Sequence, residues 1–139
     1  MIVTKYDISS IEKLSSVAEE LLTLSDNRIF VLYGEMGVGK TTLVKQFSSH
    51  LKIIDSVSSP TFSIVNEYVN FDGNKIFHFD LYRVDNIDEL IKIGIDSYLN
   101  SGNYCFIEWP NLLEPLLKGS YTAIKILEDA NKRELHLLE

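Results

Sequence analysis

The chain has 139 residues, of which 45% are apolar, so it can bury the core of one domain without disulfides or a structural metal. Its 13 lysine and arginine residues stand against 20 acidic ones, and the formal net charge of -7 disfavours direct binding to a nucleic-acid backbone. The apolar stretches are far shorter than the roughly 20 residues of a membrane-spanning helix, and the first residues lack a secretion-signal pattern. The only cysteine, Cys105, lies in an apolar run and reads as a small buried hydrophobe. We therefore expect one domain over residues 1–139, in the cytoplasm and without membrane contact.

The first half of the chain is predicted to contain two strands and two helices. Residues 2–6 are predicted as a short strand, and residues 8–24 carry apolar side chains at the spacing of one helix face. Residues 28–33 form a nearly continuous apolar run that ends at a glycine, which is typical of a strand buried on both faces of a parallel sheet. Residues 40–51 are predicted as the next helix.

The second half is predicted to contain two hairpins, two short helices and one buried strand. The hairpins cover residues 62–80 and 121–138, the helices cover 87–93 and 95–99, and the strand covers 104–108. Because helices alternate with buried strands, we expect an α/β fold. It would be a P-loop NTPase-like three-layer sandwich, with a mostly parallel central sheet and antiparallel additions.

A phosphate-binding pattern occupies residues 34–41, which read GEMGVGKT and match G-x-x-x-x-G-K-[ST] in full. The pattern follows the apolar strand and opens the next helix, which is the context it requires. Its glycines allow backbone conformations that turn successive N–H groups toward an anion. Lys40 is predicted to neutralise nucleotide phosphates, and the Thr41 hydroxyl to bind Mg²⁺. The predicted nucleotide-binding residues are Gly34, Glu35, Met36, Gly37, Val38, Gly39, Lys40, Thr41 and Thr42.

Two acids, Asp80 and Glu108, end apolar strands and are candidates for metal binding and hydrolysis. Ligands bind beyond the carboxyl ends of strands in open α/β sheets, so both acids lie near the loop if their strands run parallel to residues 28–33. The hairpin leaves the direction of the Asp80 strand open. Asp80 could instead cap a turn, and Glu108 could be a solvated strand end.

Three further polar residues have weaker signals. Thr61 follows Pro60 in a polar loop from which it could sense Mg²⁺ and the γ-phosphate, although a threonine after a proline is more often part of a turn. His78 precedes Asp80 by two positions and shares its strand face, but it has no second nearby ligand and is left out of the metal site. Arg83 could pair with a carboxylate or a phosphate, and a surface ion pair is the favoured interpretation.

Four segments together resemble the TsaE family, also called YjeE, of small bacterial ATPases required for threonylcarbamoyladenosine (t6A) formation in tRNA. They are GEMGVGKTTL at 34–43, SPTFSIVNEY at 59–68, HFDLYRV at 78–84 and IEWP at 107–110. The resemblance does not decide the role of Trp109, which could pack beside the nucleotide, face a partner, or fill the core or an interface. It implies that Thr61 is a switch residue, and it assigns catalysis to Lys40, Thr61, Asp80 and Glu108 and the metal to Thr41, Asp80 and Glu108.

The resemblance also implies an activity and partners. The chain would bind ATP and Mg²⁺ and act as an ATPase, stimulated by partner proteins, that supports t6A modification of ANN-decoding tRNAs. TsaB and TsaD are the implied partners, and tRNA would be reached only through their complex. Two alternatives stay open: a small P-loop kinase, and a nucleotide-dependent assembly module without catalysis. A kinase needs a cationic lid, and no arginine-rich segment lies in residues 85–102.

Overall fold

The computed structural model describes residues 1–54, 56–58, 60 and 64–138. Within these residues the chain forms seven strands, four α-helices and one 3₁₀ helix. The strands are β1 (Ile2–Asp7), β2 (Ile29–Tyr33), β3 (Val65–Val69), β4 (Lys75–Asp80), β5 (Tyr104–Glu108), β6 (Thr122–Asp129) and β7 (Lys132–Leu138). The helices are α1 (Ile11–Leu24), α2 (Lys40–His50), α3 (Ile87–Lys92) and α4 (Ile95–Leu99), and the 3₁₀ helix covers Pro110–Leu116.

All the described strands belong to one sheet with the order β1-β7-β6-β2-β5-β4-β3. The four central strands β6, β2, β5 and β4 are parallel. At one edge, β7 is antiparallel to both of its neighbours, β6 and β1. At the other edge, β3 is antiparallel to β4. The prediction of a mostly parallel centre with antiparallel additions is therefore confirmed. Because β2 pairs on both sides and is covered on both faces, its middle residues Phe30, Val31 and Leu32 are fully buried.

The predicted elements agree with the structure to within a few residues. Both hairpins are confirmed, and the two short helices break at Gly94, whose φ is 75°. Helix α1 begins at Ile11, inside the predicted segment 8–24, because Ser10 is its N-cap and accepts a hydrogen bond from the Lys13 N–H at 3.2 Å. The 3₁₀ helix over Pro110–Leu116 was not predicted.

Helices cover both faces of the sheet. On one face, α2 is anchored by Phe47, whose ring centroid lies 5.1 Å from that of Phe30 and 4.9 Å from that of Phe106. On the other face, α3, α4 and the 3₁₀ helix cover Cys105 and Ile107. Burial raises the pKa of the Cys105 thiol to about 12, which agrees with the prediction of a buried, unreactive cysteine. Among the helices of the described residues, none combines the length and the apolarity that spanning a bilayer requires.

Phe47→Ala should destabilise the protein strongly, because it leaves a cavity where α2 meets the sheet. Phe47 is 0% exposed, so we expect the free energy of unfolding to fall by about 3–5 kcal/mol. Urea unfolding measures this change. Phe71→Ala is the matched control, because Phe71 is 76% exposed and its loss should change stability by less than about 0.5 kcal/mol. Equal effects of the two substitutions would contradict this account of the core.

Candidate functional site

The carboxyl ends of three parallel strands meet at one edge of the sheet. In the strand register, Glu108 lies opposite Leu32 of β2 on one side and opposite Asp80 of β4 on the other. The direction of β4, which the sequence left open, is therefore parallel to β5, and its hairpin partner β3 is the antiparallel strand. Both acids consequently lie beside the loop that follows β2, as predicted.

The loop between β2 and α2 depends on glycine. Gly34, Gly37 and Gly39 all have positive φ, at 149°, 77° and 115°. A Cβ atom on Gly34 would lie 2.9 Å from the backbone oxygen of Ile126 and 2.8 Å from the Val38 side chain. The first residue of the loop is thus limited to glycine both by its backbone conformation and by the close approach of β6.

The N-terminus of α2 lies at the site, and its N-cap residue makes no side-chain hydrogen bond to the helix amides. Gly39 is the N-cap residue and supplies no side-chain hydrogen bond, and the first turn of α2 contains no acidic residue. By contrast, α1 has a serine cap and Glu12 in its first turn. Because the first amides of a helix have no partners within the helix and carry partial positive charge, the start of α2 is suited to an anion.

The Lys40 ammonium group is buried at this helix end, and its residue is only 4% exposed. Its Nζ donates a hydrogen bond to the Gly34 carbonyl at 2.5 Å and lies 3.5 Å from the centre of the Trp109 ring. Burial lowers the pKa of Lys40, and the negative charges of Glu108, Asp80 and Glu35 oppose this shift. No salt bridge joins Lys40 to a carboxylate in the described part of the chain. The site therefore contains a buried ammonium group whose direct contacts, a backbone carbonyl and an indole ring, are both neutral.

Glu108 connects the loop to the sheet. Its Oε2 atom accepts a hydrogen bond from the Thr41 hydroxyl at 2.9 Å and lies 2.6 Å from Nε2 of His78. Glu108 is 3% exposed, so the alternative of a solvated strand end is wrong. His78 is fully buried and belongs to this site, although the sequence reasoning left it out. The sequence feature that could have found His78 is the alternation of side chains along the strands. The strand register places His78, Phe106 and Glu108 on the face of the sheet that α2 covers.

Asp80 combines the two possibilities that the sequence left open. Its Oδ1 accepts a hydrogen bond from the Tyr82 N–H at 3.0 Å, which caps the turn after β4. The same side chain is half-buried and lines the cavity beside the loop. Across the described residues, no three His, Cys, Asp or Glu side chains cluster as a metal-binding group.

Trp109 packs against Lys40, and both residues line the cavity beside the loop. Its φ is 56°, a left-handed conformation that is uncommon for a bulky residue, and it follows directly after β5. The indole packs on Tyr82, with ring centroids 4.9 Å apart, as well as on Lys40. Trp109 is half-buried and packs against the core as well as against Lys40. Its contact with a nucleotide or a partner stays a prediction.

These elements surround a cavity of about 610 Å³. It brings together Lys40, Thr41, Asp80 and Glu108 of the predicted site, and the exposed Arg83 also lines it. Thr61 lies outside the described residues, whereas its neighbour Pro60 lines the cavity. The lining residues are Met36, Gly37, Lys40, Thr41, Pro60, Ile64, Asp80, Tyr82, Arg83, Val84, Glu89, Glu108 and Trp109.

Comparison with known proteins decides the family. The model of the family described as "Threonylcarbamoyl adenosine biosynthesis protein TsaE" matches residues 8–135, nearly the whole chain. The chain belongs to the TsaE family. The resemblance found in its four sequence segments is thereby confirmed.

Individual TsaE proteins are similar along most of their length. The TsaE protein of Haemophilus influenzae is 37% identical over 122 residues, which cover 85% of this chain and 77% of that protein. The TsaE protein of Aquifex aeolicus is 36% identical over 135 residues, which cover 94% of this chain and 92% of that protein. The crystal structure of Bacillus subtilis YdiB superposes with a TM-score of 0.73 and 26% identity, over 99% of this chain and 86% of that one.

Gly34→Ala should disrupt the loop, because the new methyl group would need a strained φ and would meet the Ile126 carbonyl. We expect the free energy of unfolding to fall by more than about 2 kcal/mol. Urea unfolding measures it. In the control Gly73→Ala, φ is also positive, at 82°, but the space around the position is open, so only the conformational cost of about 1 kcal/mol is expected. A Gly34→Ala variant as stable as Gly73→Ala would show that the loop tolerates a side chain there.

Proposed function

We propose that this chain is a P-loop ATPase that binds ATP with Mg²⁺ and supports t6A modification of tRNA together with TsaB- and TsaD-type partners. The observation that carries the proposal is the buried Lys40 ammonium at the uncapped start of α2, inside a loop of positive-φ glycines. The mostly parallel sheet with the loop at its centre is consistent with a P-loop NTPase-like fold.

A polyphosphate is the ligand that best suits these charges. Burying an ammonium group beside the positive end of a helix is unfavourable unless an anion neutralises both. A nucleotide phosphate would accept hydrogen bonds from the loop amides and from Lys40, which would exchange its bond to the Gly34 carbonyl for phosphate oxygens. The predicted nucleotide contacts from Gly34 to Thr42 follow from this arrangement.

The residues present also fit Mg²⁺, which prefers oxygen ligands. The Thr41 hydroxyl and the Glu108 carboxylate are already 2.9 Å apart, and Asp80 is in register beside Glu108. Thr41 would bind the ion directly, with Glu108 and Asp80 as the nearby carboxylates. When bound, Mg²⁺ would neutralise charge that develops on the transferring phosphoryl group.

Glu108 would orient and deprotonate the attacking water, because it lies at the carboxyl end of β5 and lines the cavity. Asp80 would hold the turn after β4 and contribute negative charge near the metal. For Thr61 the role of a switch residue rests on its place in the SPTF segment of the family.

The biological role rests on the relatives. The similar proteins of Haemophilus influenzae and Aquifex aeolicus are both named tRNA threonylcarbamoyladenosine biosynthesis protein TsaE. The net charge of -7 favours contact with tRNA through a partner complex rather than directly. We assign the chain to the cytoplasm, where such a complex would act on tRNA.

Lys40→Ala should weaken ATP binding by about 10- to 100-fold, because it removes a charged hydrogen-bond donor to the phosphates. Calorimetry with ATP and Mg²⁺ measures the affinity. Emission from Trp109, the only tryptophan, is a second measure, since ATP should draw the Lys40 ammonium away from the indole. Lys45→Ala, an exposed lysine on the same helix, is the control and should bind as the wild type does. If the folded wild-type chain releases no heat with ATP, the nucleotide proposal is wrong.

Glu108→Ala should lower phosphate release by about 100-fold or more while the chain still binds ATP. The control Glu12→Ala removes an exposed acid on α1 and should leave the rate unchanged. The same variants test the biological role in a reconstituted t6A assay with TsaB, TsaD and tRNA. We expect multiple-turnover synthesis to need the wild-type chain and to fail with Glu108→Ala. Full synthesis without the chain would refute the role, and a phosphorylated metabolite in place of free phosphate would indicate a kinase.

A further inference from the structure

We propose that His78 is a positioning residue that holds Glu108 in its reactive orientation, an inference that rests on the proposed ATPase function. His78 Nε2 lies 2.6 Å from Glu108 Oε2, and His78 has no exposed surface. A hydrogen bond between groups that water does not reach is stronger than one at the surface, because no solvent competes for either partner.

The contact fixes where the imidazole proton lies. An ionised carboxylate can only accept hydrogen bonds, so Nε2 carries the hydrogen and donates it to Glu108. The other ring nitrogen, Nδ1, is buried without a hydrogen-bond partner in the described part of the chain. Within the described residues, the contact with Glu108 is therefore the hydrogen bond through which the His78 ring acts.

Both donors to Glu108 act on the same oxygen. Thr41 and His78 converge on Oε2 from α2 and from β4. None of the hydrogen bonds among the described residues reaches Oε1, while the Glu108 side chain lines the cavity. Two hydrogen bonds to one oxygen limit rotation of the carboxylate. Its other oxygen stays available to a water molecule or to a metal ion.

His78 approaches Glu108 from the sheet, whereas Thr41 approaches it from the start of α2. Thr41 would be able to bind Mg²⁺ through a hydroxyl lone pair and still donate its one hydrogen to Glu108. His78 is not a predicted metal ligand, so its contact with Glu108 Oε2 depends on the pairing of β4 with β5 and not on the ion. It would therefore keep the carboxylate in place during hydrolysis without touching the nucleotide, and its loss should reduce kcat rather than ATP affinity.

Two substitutions separate positioning from simple packing. In His78→Gln the side-chain amide can reach the place of Nε2 and can still donate to Glu108. In His78→Asn the amide extends only to the place of Nδ1, so this variant keeps polarity but loses the donor. A merely structural histidine would be disturbed by both substitutions, whereas a positioning histidine would be replaced in part by glutamine.

We expect His78→Asn to lower kcat for ATP hydrolysis by about 10- to 100-fold, with KM for ATP changed less than about three-fold. His78→Gln should recover kcat to within about five-fold of the wild type. Urea unfolding shows whether both variants are folded. Equal kcat losses in the two folded variants, or a KM change as large as the kcat change, would overturn the proposal. If His78→Asn does not fold, His78→Gln decides, because a loss of more than about ten-fold in kcat is then incompatible with a retained donor.

Crystal structures of the nucleotide-free variants test the same inference without activity. Because the Thr41 hydroxyl holds the same Glu108 oxygen in the nucleotide-free chain, each variant also carries Thr41→Val. The Glu108 carboxylate should then rotate away from its wild-type position with His78→Asn and keep that position with His78→Gln. An unmoved Glu108 with His78→Asn would overturn the positioning role. A wild-type chain that does not hydrolyse ATP, combined with the expected carboxylate movements, would refute the proposed ATPase while leaving the Glu108–His78 link intact.

Discussion

A single carboxylate oxygen, Glu108 Oε2, ties together three elements that lie far apart in the sequence. It accepts a hydrogen bond from the Thr41 hydroxyl at the start of α2 and lies against the buried His78 of β4. Glu108 itself is the last residue of β5. The contact is possible because β2, β4 and β5 run parallel and end at the same edge of the sheet. The loop after β2, the acids after β4 and β5, and the cavity between them all take their relative positions from this convergence.

Positive charge is concentrated where the parallel strands end, at the start of α2. Lys40 and the uncapped start of α2 are both positive, yet in the described residues Lys40 contacts a carbonyl and an aromatic ring rather than a carboxylate. The backbone is also unusual here, with a left-handed Trp109 and a loop that begins at a glycine pressed against β6. Strained backbone and a buried cation without a direct ion pair are costly, and proteins concentrate such features at functional sites. An anionic ligand would relieve the electrostatic part of this cost.

Membership of the TsaE family joins this chemistry to a biological setting. Much of the mass of the chain serves the sheet and its helices, and strands β1, β7 and β3 extend the sheet beyond the four parallel strands. The chemical groups of the site come from short segments at strand ends. This division explains why four short sequence segments were sufficient to indicate the family, although the Haemophilus influenzae and Aquifex aeolicus proteins are only 37% and 36% identical to the chain over the aligned residues.

By itself, the sequence determined the features that depend on neighbours along the chain: the phosphate loop, the buried strand before it, the helix after it and both hairpins. Apolar periodicity, glycine positions and turn residues act locally, so they can be read without the fold. Only the tertiary structure decided the direction of β4, the burial of Glu108 and the contact of Trp109 with Lys40. His78 shows the reason most clearly: its partner is 30 residues away, and strand alternation gives the face on which a side chain lies but not which neighbouring strand it will meet.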